Sequence, residues 1–217
     1  MLGEPRTATG LYVAVGASDA VGVGAHWPRR DAWPRLLHRH VFGRQTRFVN
    51  LGVSGATVAS ALSRQVPEVE RLAPDVVTVW LVVNDVVAAV PVETYEAQFD
   101  ELVGRLRRAT SGRLLVGNCP YLDRLPVYLA WQALGALPEP DAVNGLVDGF
   151  NAAIHRAVSR HDATLVDLRA AGVTARRAGI EPNLYARDGF HPSTAGHKAL
   201  AAAFGAALAD SEAVTRR

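Results

Sequence analysis

Two short segments near opposite ends of the chain carry residue types that could together perform acyl transfer. Residues 188–192 read Asp-Gly-Phe-His-Pro, with the carboxylate of Asp188 three positions before the imidazole of His191. Residues 16–22 place the hydroxyl of Ser18 on a glycine-containing turn directly after an apolar run. A hydroxyl becomes a good nucleophile when a histidine takes its proton and a carboxylate orients that histidine. We therefore predict Ser18 as nucleophile, His191 as general base and Asp188 as the residue that orients the base.

Acyl transfer also develops negative charge on the carbonyl oxygen, so the site needs hydrogen-bond donors for an oxyanion. Gly52, which follows Asn50 and Leu51, can bring a backbone N–H close, and the Asn84 carboxamide can add a side-chain donor. We predict an oxyanion hole formed by the N–H groups of Ser18 and Gly52 and by the Asn84 side chain. The structural alternatives are that Ser18 caps a helix and that Asn84 only forms a turn.

The other reactive residue types give weaker signals. Asp85 is expected to cap a helix or anchor a loop rather than act as a catalytic acid. The single cysteine, Cys119, precludes an intramolecular disulfide and is expected to pack at a strand end as a small buried residue. No metal and no other cofactor is expected, because the remaining histidines fall on predicted loops or polar helix faces without ligand spacing: His26, His38, His40, His155, His161 and His197.

Five short runs rich in β-branched residues and leucine alternate with longer helical patterns along the chain. The predicted strands cover residues 11–15, 47–50, 75–83, 113–117 and 164–167. The predicted helices cover residues 32–42, 57–72, 92–109, 142–160 and 193–209, with N-caps at Thr57 and Ser193. Because the strand runs are continuously apolar, they are expected to be buried on both faces of a parallel sheet. This pattern predicts one three-layer αβα domain over residues 1–217, with the polar loops at the carboxyl ends of the strands.

Composition excludes several classes of function. The 217 residues are 49% hydrophobic, which supplies a core without disulfides or metals, and the net charge is only +2. The arginines are scattered, so no nucleic-acid partner is expected. The longest apolar run, 76–90, is interrupted at Asn84 and Asp85, and the run at 11–15 is too short for a secretory signal. We expect a cytoplasmic protein without stable membrane association; the sequence does not indicate its oligomeric state.

One stretch interrupts the alternation of strands and helices. Residues 121–142 are rich in proline, tyrosine and tryptophan, and they lie between the fourth predicted strand and the next helix. Long irregular insertions in compact domains often serve function. This segment is expected either to form a wall or partial lid of an apolar acyl pocket, or to cover the sheet edge as a proline-stiffened loop.

The four polar blocks, taken in order, resemble those of the SGNH hydrolases, also called GDSL-type esterases and lipases. They are Gly-Ala-Ser-Asp-Ala-Val-Gly with Ser18, Asn-Leu-Gly-Val-Ser-Gly with Gly52, Val-Val-Asn-Asp with Asn84, and the block with Asp188 and His191. The match spans residues 11 to about 205. The resemblance implies a flavodoxin-like three-layer fold, a serine nucleophile, a Ser/Gly/Asn oxyanion hole and an Asp-x-x-His pair.

The chain departs from the family pattern at two places. The family's Gly-Asp-Ser-Leu is Gly-Ala-Ser-Asp, which removes the acidic residue before the nucleophile. Val82 replaces the glycine that usually opens Gly-x-Asn-Asp. Neither change removes a catalytic group, but Val82 is expected to narrow the pocket.

Together these features predict a metal-independent serine esterase that acts on a small ester. We expect it to prefer esters with acyl chains from acetate up to hexanoate over esters with long acyl chains, because Val82 should crowd the pocket. The same machinery would suit a thioester, an acetylated sugar or a lysophospholipid. A non-catalytic α/β binding module is the alternative from a different class.

Overall fold

The computed structural model describes residues 10–43, 45–110 and 112–215, with side chains up to residue 210. Residues 1–9, 44, 111 and 216–217 lie outside the described residues; they include Ser111, which with Gly112 is a helix stop expected from the sequence. Within the described residues, no helix is both long enough and apolar enough to cross a membrane.

Five parallel strands form one sheet, which confirms the predicted fold class. They are β1 (Leu11–Gly16), β2 (Arg47–Asn50), β3 (Val76–Trp80), β4 (Arg113–Gly117) and β5 (Thr164–Val166). Their order in the sheet is β2-β1-β3-β4-β5. In the sheet, β2 lies on one side of β1 and β3 lies on the other side. The carboxyl ends of β1 and β3 therefore flank the point where the strand order reverses, which is where open α/β sheets form their binding crevices.

Helices cover both faces of the sheet. One group, α4 (Val58–Arg64), α5 (Val66–Leu72), α7 (Val92–Ala109) and α9 (Pro140–Arg160), packs together, and α3 (Trp33–Leu37), α10 (Leu168–Arg177) and α11 (Thr194–Thr215) form a second group. The short helices are α1 (Ser18–Val21), α2 (Pro28–Asp31), α6 (Val83–Val87) and α8 (Pro126–Gln132), with 3₁₀ turns at Leu122–Arg124 and Glu181–Leu184 and a π-helical turn at His38–Phe42.

Several boundaries differ from the sequence-based expectation. The helix predicted over 57–72 is interrupted at Gln65, because Pro67 lies in the first turn of α5 and cannot donate to the preceding turn. The third strand ends at Trp80 rather than at residue 83, because the chain turns into α6. The Thr57 N-cap is confirmed: its hydroxyl accepts the Ser60 N–H in a capping box. Helix α10 was not predicted.

Gln65 fixes the end of β1. Its side chain, only 3% exposed, donates from Nε2 to the Gly16 carbonyl and accepts the Gly16 N–H at Oε1, both at 3.0 Å. The Gly16 carbonyl also accepts the Val53 N–H. A Cβ at Gly16 would lie 2.8 Å from that of Ala20, so only glycine allows α1 to fold back so closely. The residues that follow Gly16 therefore leave the strand from a fixed position.

Replacing Gln65 with leucine should destabilise the fold. Gln65→Leu keeps the volume but leaves a buried N–H and weakens the pairing of a buried carbonyl, which costs about 2 kcal/mol. Chemical denaturation should show this loss, whereas Gln132→Leu should be near neutral because its amide contacts only the exposed Glu139 carboxylate at 3.3–3.4 Å. Equal losses in both variants would contradict the role given to Gln65.

Candidate active site

Ser18 lies on a tight strand-turn-helix connection. It opens the single-turn helix α1, and the N–H groups of Gly22 and Val23 donate to its carbonyl at 3.0 and 2.9 Å. Gly22 has φ +98°, and a Cβ there would lie 2.7 Å from the Pro28 carbonyl oxygen. Glycine is therefore required both by the backbone conformation and by the packing. The turn holds the Ser18 side chain at the carboxyl edge of the sheet, half-buried.

The structure brings Ser18, His191 and Asp188 into one chain of hydrogen bonds. Ser18 Oγ lies 3.0 Å from His191 Nε2, and His191 Nδ1 lies 2.7 Å from Asp188 Oδ2. An ionised carboxylate can only accept hydrogen bonds, so Nδ1 carries the ring proton and Nε2 is left to accept from the serine hydroxyl. Ser18 and His191, which are 173 positions apart in sequence, therefore lie within hydrogen-bonding distance of each other.

The carboxylate of Asp188 also builds the turn that presents His191. Its Oδ1 accepts the backbone N–H groups of Phe190 and His191 at 2.9 and 3.0 Å. Burial works to raise the pKa of Asp188, but these backbone hydrogen bonds and the bond to the His191 ring outweigh it and lower the pKa. The carboxylate is thus ionised at neutral pH, as the ring tautomer requires.

Asn84 and Asp85 start helix α6 and have different surroundings. Asn84 lines the same cavity as Ser18, and its Nδ2 donates to the Ala56 carbonyl at 2.8 Å, which orients the amide. Asp85 is fully buried and accepts the Val58 N–H at both carboxylate oxygens, at 3.2 Å each. Burial raises the pKa of Asp85 to about 6. The expectation that Asp85 anchors a helix or loop is confirmed.

Gly52 does not have the geometry predicted for an oxyanion donor. Its N–H donates to Asn50 Oδ1 at 3.0 Å, and Asn50 Nδ2 donates to the Ala20 carbonyl at 2.7 Å. A Cβ at Gly52 would lie 2.7 Å from that of Ala20. The glycine thus lets the loop after β2 approach α1 closely, while its N–H is already engaged.

The next glycine in the same motif, Gly55, has different surroundings. Gly55 has φ +77°, and a Cβ built there would meet no atom within 4 Å. It precedes Ala56, which lines the cavity, and among the described residues no acceptor takes its N–H. The sequence signal was present, since Asn-Leu-Gly-Val-Ser-Gly contains two glycines. The sequence alone does not show that the Gly52 N–H is already bonded to Asn50.

An apolar cavity of about 180 Å³ opens at Ser18, Asn84 and His191. Val82, 2% exposed, contributes to its lining. Among the described residues of the insertion at 121–142, Tyr121, Leu122 and Leu125 line the cavity, so this part forms a wall. Helix α8 follows and is tied to the loop that carries Asp188 and His191 by the Val127 N–H, which donates to the Gly189 carbonyl at 3.2 Å.

His197 differs from the sequence-based expectation. It was placed on a polar helix face or loop, but it is fully buried, and its Nε2 lies 3.0 Å from the Val23 carbonyl oxygen. The first turns of α11 pack under the turn that carries Ser18, so a residue at this position faces inward. Burial lowers the pKa of His197, which favours the neutral ring that donates from Nε2. His197 thus links α11 to the nucleophile turn.

Cys119 and the other residue types that can bind a metal ion were considered as possible ligands from the sequence. Cys119 is buried, and burial raises the pKa of its thiol to about 12, which agrees with a packing role. Across residues 10–43, 45–110 and 112–215, no group of three or more histidine, cysteine, aspartate or glutamate residues is positioned to hold a metal ion.

Asp19 directly follows Ser18, at the position where the family motif has leucine. Its buried side chain anchors the turn that carries Ser18. Its carboxylate is 9% exposed and accepts the Trp33 Nε1–H at 2.7 Å. Trp33 is itself fully buried and stacks on Phe204 with ring centroids 4.3 Å apart. Burial raises the pKa of Asp19 to about 6, although the bond from Trp33 opposes this shift.

The raised pKa of Asp19 gives a testable dependence of stability on pH. A carboxyl with a folded pKa near 6, against 3.8 in the unfolded chain, stabilises the fold fully below about pH 4. That contribution is lost as the pH rises through 6, and it amounts to at most about 3 kcal/mol. Denaturation at pH 4.5 and pH 8 should therefore show a smaller difference in Asp19→Asn than in the wild type. The exposed Asp141→Asn should keep the wild-type difference, and an unchanged difference in Asp19→Asn would refute the shift.

Comparison with known proteins identifies the family. Residues 14–199 match the model of the GDSL-like Lipase/Acylhydrolase family. An acetylxylan esterase of Geobacillus stearothermophilus is 27% identical over 168 residues, which cover 73% of this chain and 70% of that protein. Among solved structures, LAE5, an alpha/beta hydrolase from the metagenome of Lake Arreo, Spain, is 28% identical with a TM-score of 0.72, over 93% of this chain and 96% of that one. Phospholipase A1 of Streptomyces albidoflavus shares the fold at 21% identity, with a TM-score of 0.69 over 94% and 99% of the two chains. The chain belongs to the GDSL-like lipase/acylhydrolase family, and it is a carboxylic ester hydrolase.

Proposed function

We propose that the protein hydrolyses carboxylic esters through an acyl-enzyme formed on Ser18. The observation that carries this proposal is the hydrogen-bond chain from Ser18 Oγ through His191 to Asp188, at the mouth of an apolar cavity. A nucleophile, its base and the orienting carboxylate are the three parts that acyl transfer needs, and the cavity gives the ester a place beside them.

In the first half-reaction, Ser18 Oγ attacks the acyl carbon while His191 Nε2 takes its proton. The tetrahedral intermediate collapses when His191 returns this proton to the leaving alcohol, which departs and leaves an ester on Ser18. Water then attacks that ester with His191 again as base, and the carboxylic acid is released. Asp188 holds the ring and stabilises the imidazolium that forms in both halves.

The oxyanion of each intermediate needs donors on the side away from His191. We assign this role to the Ser18 N–H, the Asn84 carboxamide and the Gly55 N–H. Asn84 is supported by its position in the cavity lining and by the bond to Ala56, which uses one of its two amide hydrogens. Gly55 replaces Gly52 in this assignment, because the Gly52 N–H already donates to Asn50.

The same residues would hydrolyse a thioester, an acetylated sugar or a lysophospholipid. The acetylxylan esterase relative makes the acetylated sugar a specific second candidate. A panel with a constant alcohol and different acyl groups, together with acetylated xylo-oligosaccharides and acyl thioesters, separates these substrates by their kcat/KM values.

Labelling tests the assignment of the nucleophile and the alternative of a non-catalytic module together. A fluorophosphonate should modify the protein stoichiometrically, with the adduct on Ser18 by peptide mass spectrometry. Ser18→Ala should remove both labelling and ester hydrolysis without loss of thermal stability, because the hydroxyl lies on a turn. Ser63→Ala, on helix α4, serves as the control and should retain both. More than a few per cent residual activity in Ser18→Ala would exclude Ser18 as the nucleophile.

Asn84→Ala tests the oxyanion role. The amide matters most once charge has developed on oxygen, so kcat should fall about 10²- to 10³-fold with KM nearly unchanged. The pH dependence of the residual activity should keep its shape. Asn84→Asp, which has the same size but cannot donate when ionised, should lose as much, whereas the exposed Asn183→Ala should stay at the wild-type rate. A rise in KM as large as the fall in kcat would instead mean that Asn84 binds the ground state.

A further inference from the structure

The cavity continues past Ser18 into the space between helices α10 and α11. Beyond the mouth it is floored by Trp80 and Leu168, which lie together against Gly117 at the end of β4. Further lining comes from Ala171, Gly172 and Ala175 of α10 and from Gly196, Ala199 and Ala203 of α11. We call the part between the two helices the distal channel.

The distal channel leads away from the catalytic serine. Gly196 lies at the active-site end, because a Cβ there would be 2.9 Å from the side chain of Pro192, the residue after His191. Ala203 lies seven residues further along α11, which is about 10 Å at 1.5 Å per residue. An extended chain of about eight carbons has this length, at roughly 1.25 Å per carbon for C–C bonds near 1.5 Å.

Small side chains keep the space between the helices open. The lining positions recur at the three- and four-residue spacing that marks one face of a helix on α10 (168, 171, 172, 175) and on α11 (196, 199, 200, 203). Most of them are glycine or alanine, which cannot fill the gap between the two helices. A Cβ built at Gly172 would meet no atom within 4 Å, so a larger side chain has room there. Ala171 and Ala199 are exposed and Gly172 is half-buried, so the channel is open to solvent along one side.

The chemistry of the lining suits an apolar chain. Away from the mouth, the polar side chains among the lining residues are Tyr121, Glu181 and Tyr185. The Glu181 carboxylate is paired with Arg176 at 3.1 Å and lies 3.7 Å from Arg124, so its charge is compensated. Apart from these three side chains, the described lining beyond the mouth is apolar, which suits a hydrocarbon chain.

The position of His191 indicates which half of the ester enters the channel. The leaving alcohol takes its proton from His191 Nε2 and therefore departs beside that ring. The His191 side chain is 22% exposed and that of Asp188 is 47% exposed, which places this side of the site toward solvent. An alcohol can thus leave directly to solvent beside the ring, which leaves the apolar lining of the distal channel for the acyl group.

We propose that the distal channel between α10 and α11 holds the acyl chain of the substrate, so that the enzyme prefers linear acyl groups of about eight carbons to acetate. This inference rests on the proposed ester hydrolysis at Ser18. It revises the sequence-based expectation of acetate to hexanoate esters. Val82 is part of the lining, but the lining extends beyond it to Ala203.

Gly172→Leu tests the proposal by filling the distal channel. The wild type should show about 10- to 100-fold higher kcat/KM on p-nitrophenyl octanoate than on the acetate, since each buried methylene contributes up to about fourfold. Gly172→Leu should lower this octanoate to acetate ratio about tenfold or more, and Ala199→Leu should act in the same direction. Gly145→Leu is the matched control, because Gly145 also lies on a helix beside open space but does not line the cavity, and it should keep the wild-type ratio.

Two outcomes would overturn the proposal. One is an octanoate to acetate ratio that Gly172→Leu and Ala199→Leu leave unchanged. The other is a loss in Gly172→Leu on octyl acetate rather than on p-nitrophenyl octanoate, which would assign the channel to the alcohol.

A binding measurement separates this proposal from the catalytic one. Titration calorimetry of Ser18→Ala with sodium octanoate should show binding that Gly172→Leu weakens about tenfold or more and Gly145→Leu does not. If no ester is hydrolysed but this pattern appears, the catalytic assignment fails and the channel stands. If esters are hydrolysed but octanoate binding does not depend on Gly172, the channel assignment fails alone.

Discussion

The paired hydrogen bonds between the Gln65 amide and the backbone of Gly16 fix the end of β1, and the rest of the site depends on the position of that strand end. They occupy both polar groups of the last residue of β1 with a side chain from the helical layer, just before the chain turns toward Ser18. Gly16 and Gly52 both lie against Ala20, and Asn50 bonds the carbonyl of that same residue. The nucleophile turn is therefore held from the strand, from the helical layer and from the loop after β2.

The histidine reaches this turn by a separate set of contacts. Thr194 Oγ1 accepts the His26 N–H at 2.8 Å, and His197 bonds the Val23 carbonyl, so the start of α11 is fastened to the loop that follows Ser18. The 3.0 Å separation of Ser18 Oγ and His191 Nε2 is thus set by contacts between two loops. Long-range order in the sheet brings the loops near each other, but these local bonds fix the distance.

Sequence reasoning succeeded where local chemistry decides the outcome. Continuous apolar runs predicted the parallel strands. The three-residue spacing of Asp188 and His191 predicted the hydrogen bond between them, since both lie on one turn. Sequence reasoning failed where tertiary contacts decide the outcome. The inward orientation of His197 depends on what α11 packs against, and the choice between Gly52 and Gly55 depends on whether Asn50 already uses an N–H. Helix α10 was missed because alanine and glycine, rather than large apolar residues, make up most of its apolar face.

The burial of Cys119 has a practical consequence for work on this protein. The chain contains one cysteine, and burial suppresses the thiolate that alkylating reagents attack. Toward such reagents the folded protein behaves as a cysteine-free background. A cysteine introduced at an exposed position can therefore carry a spectroscopic probe without first removing the native residue, so the core around β4 stays intact while motion near the site is followed.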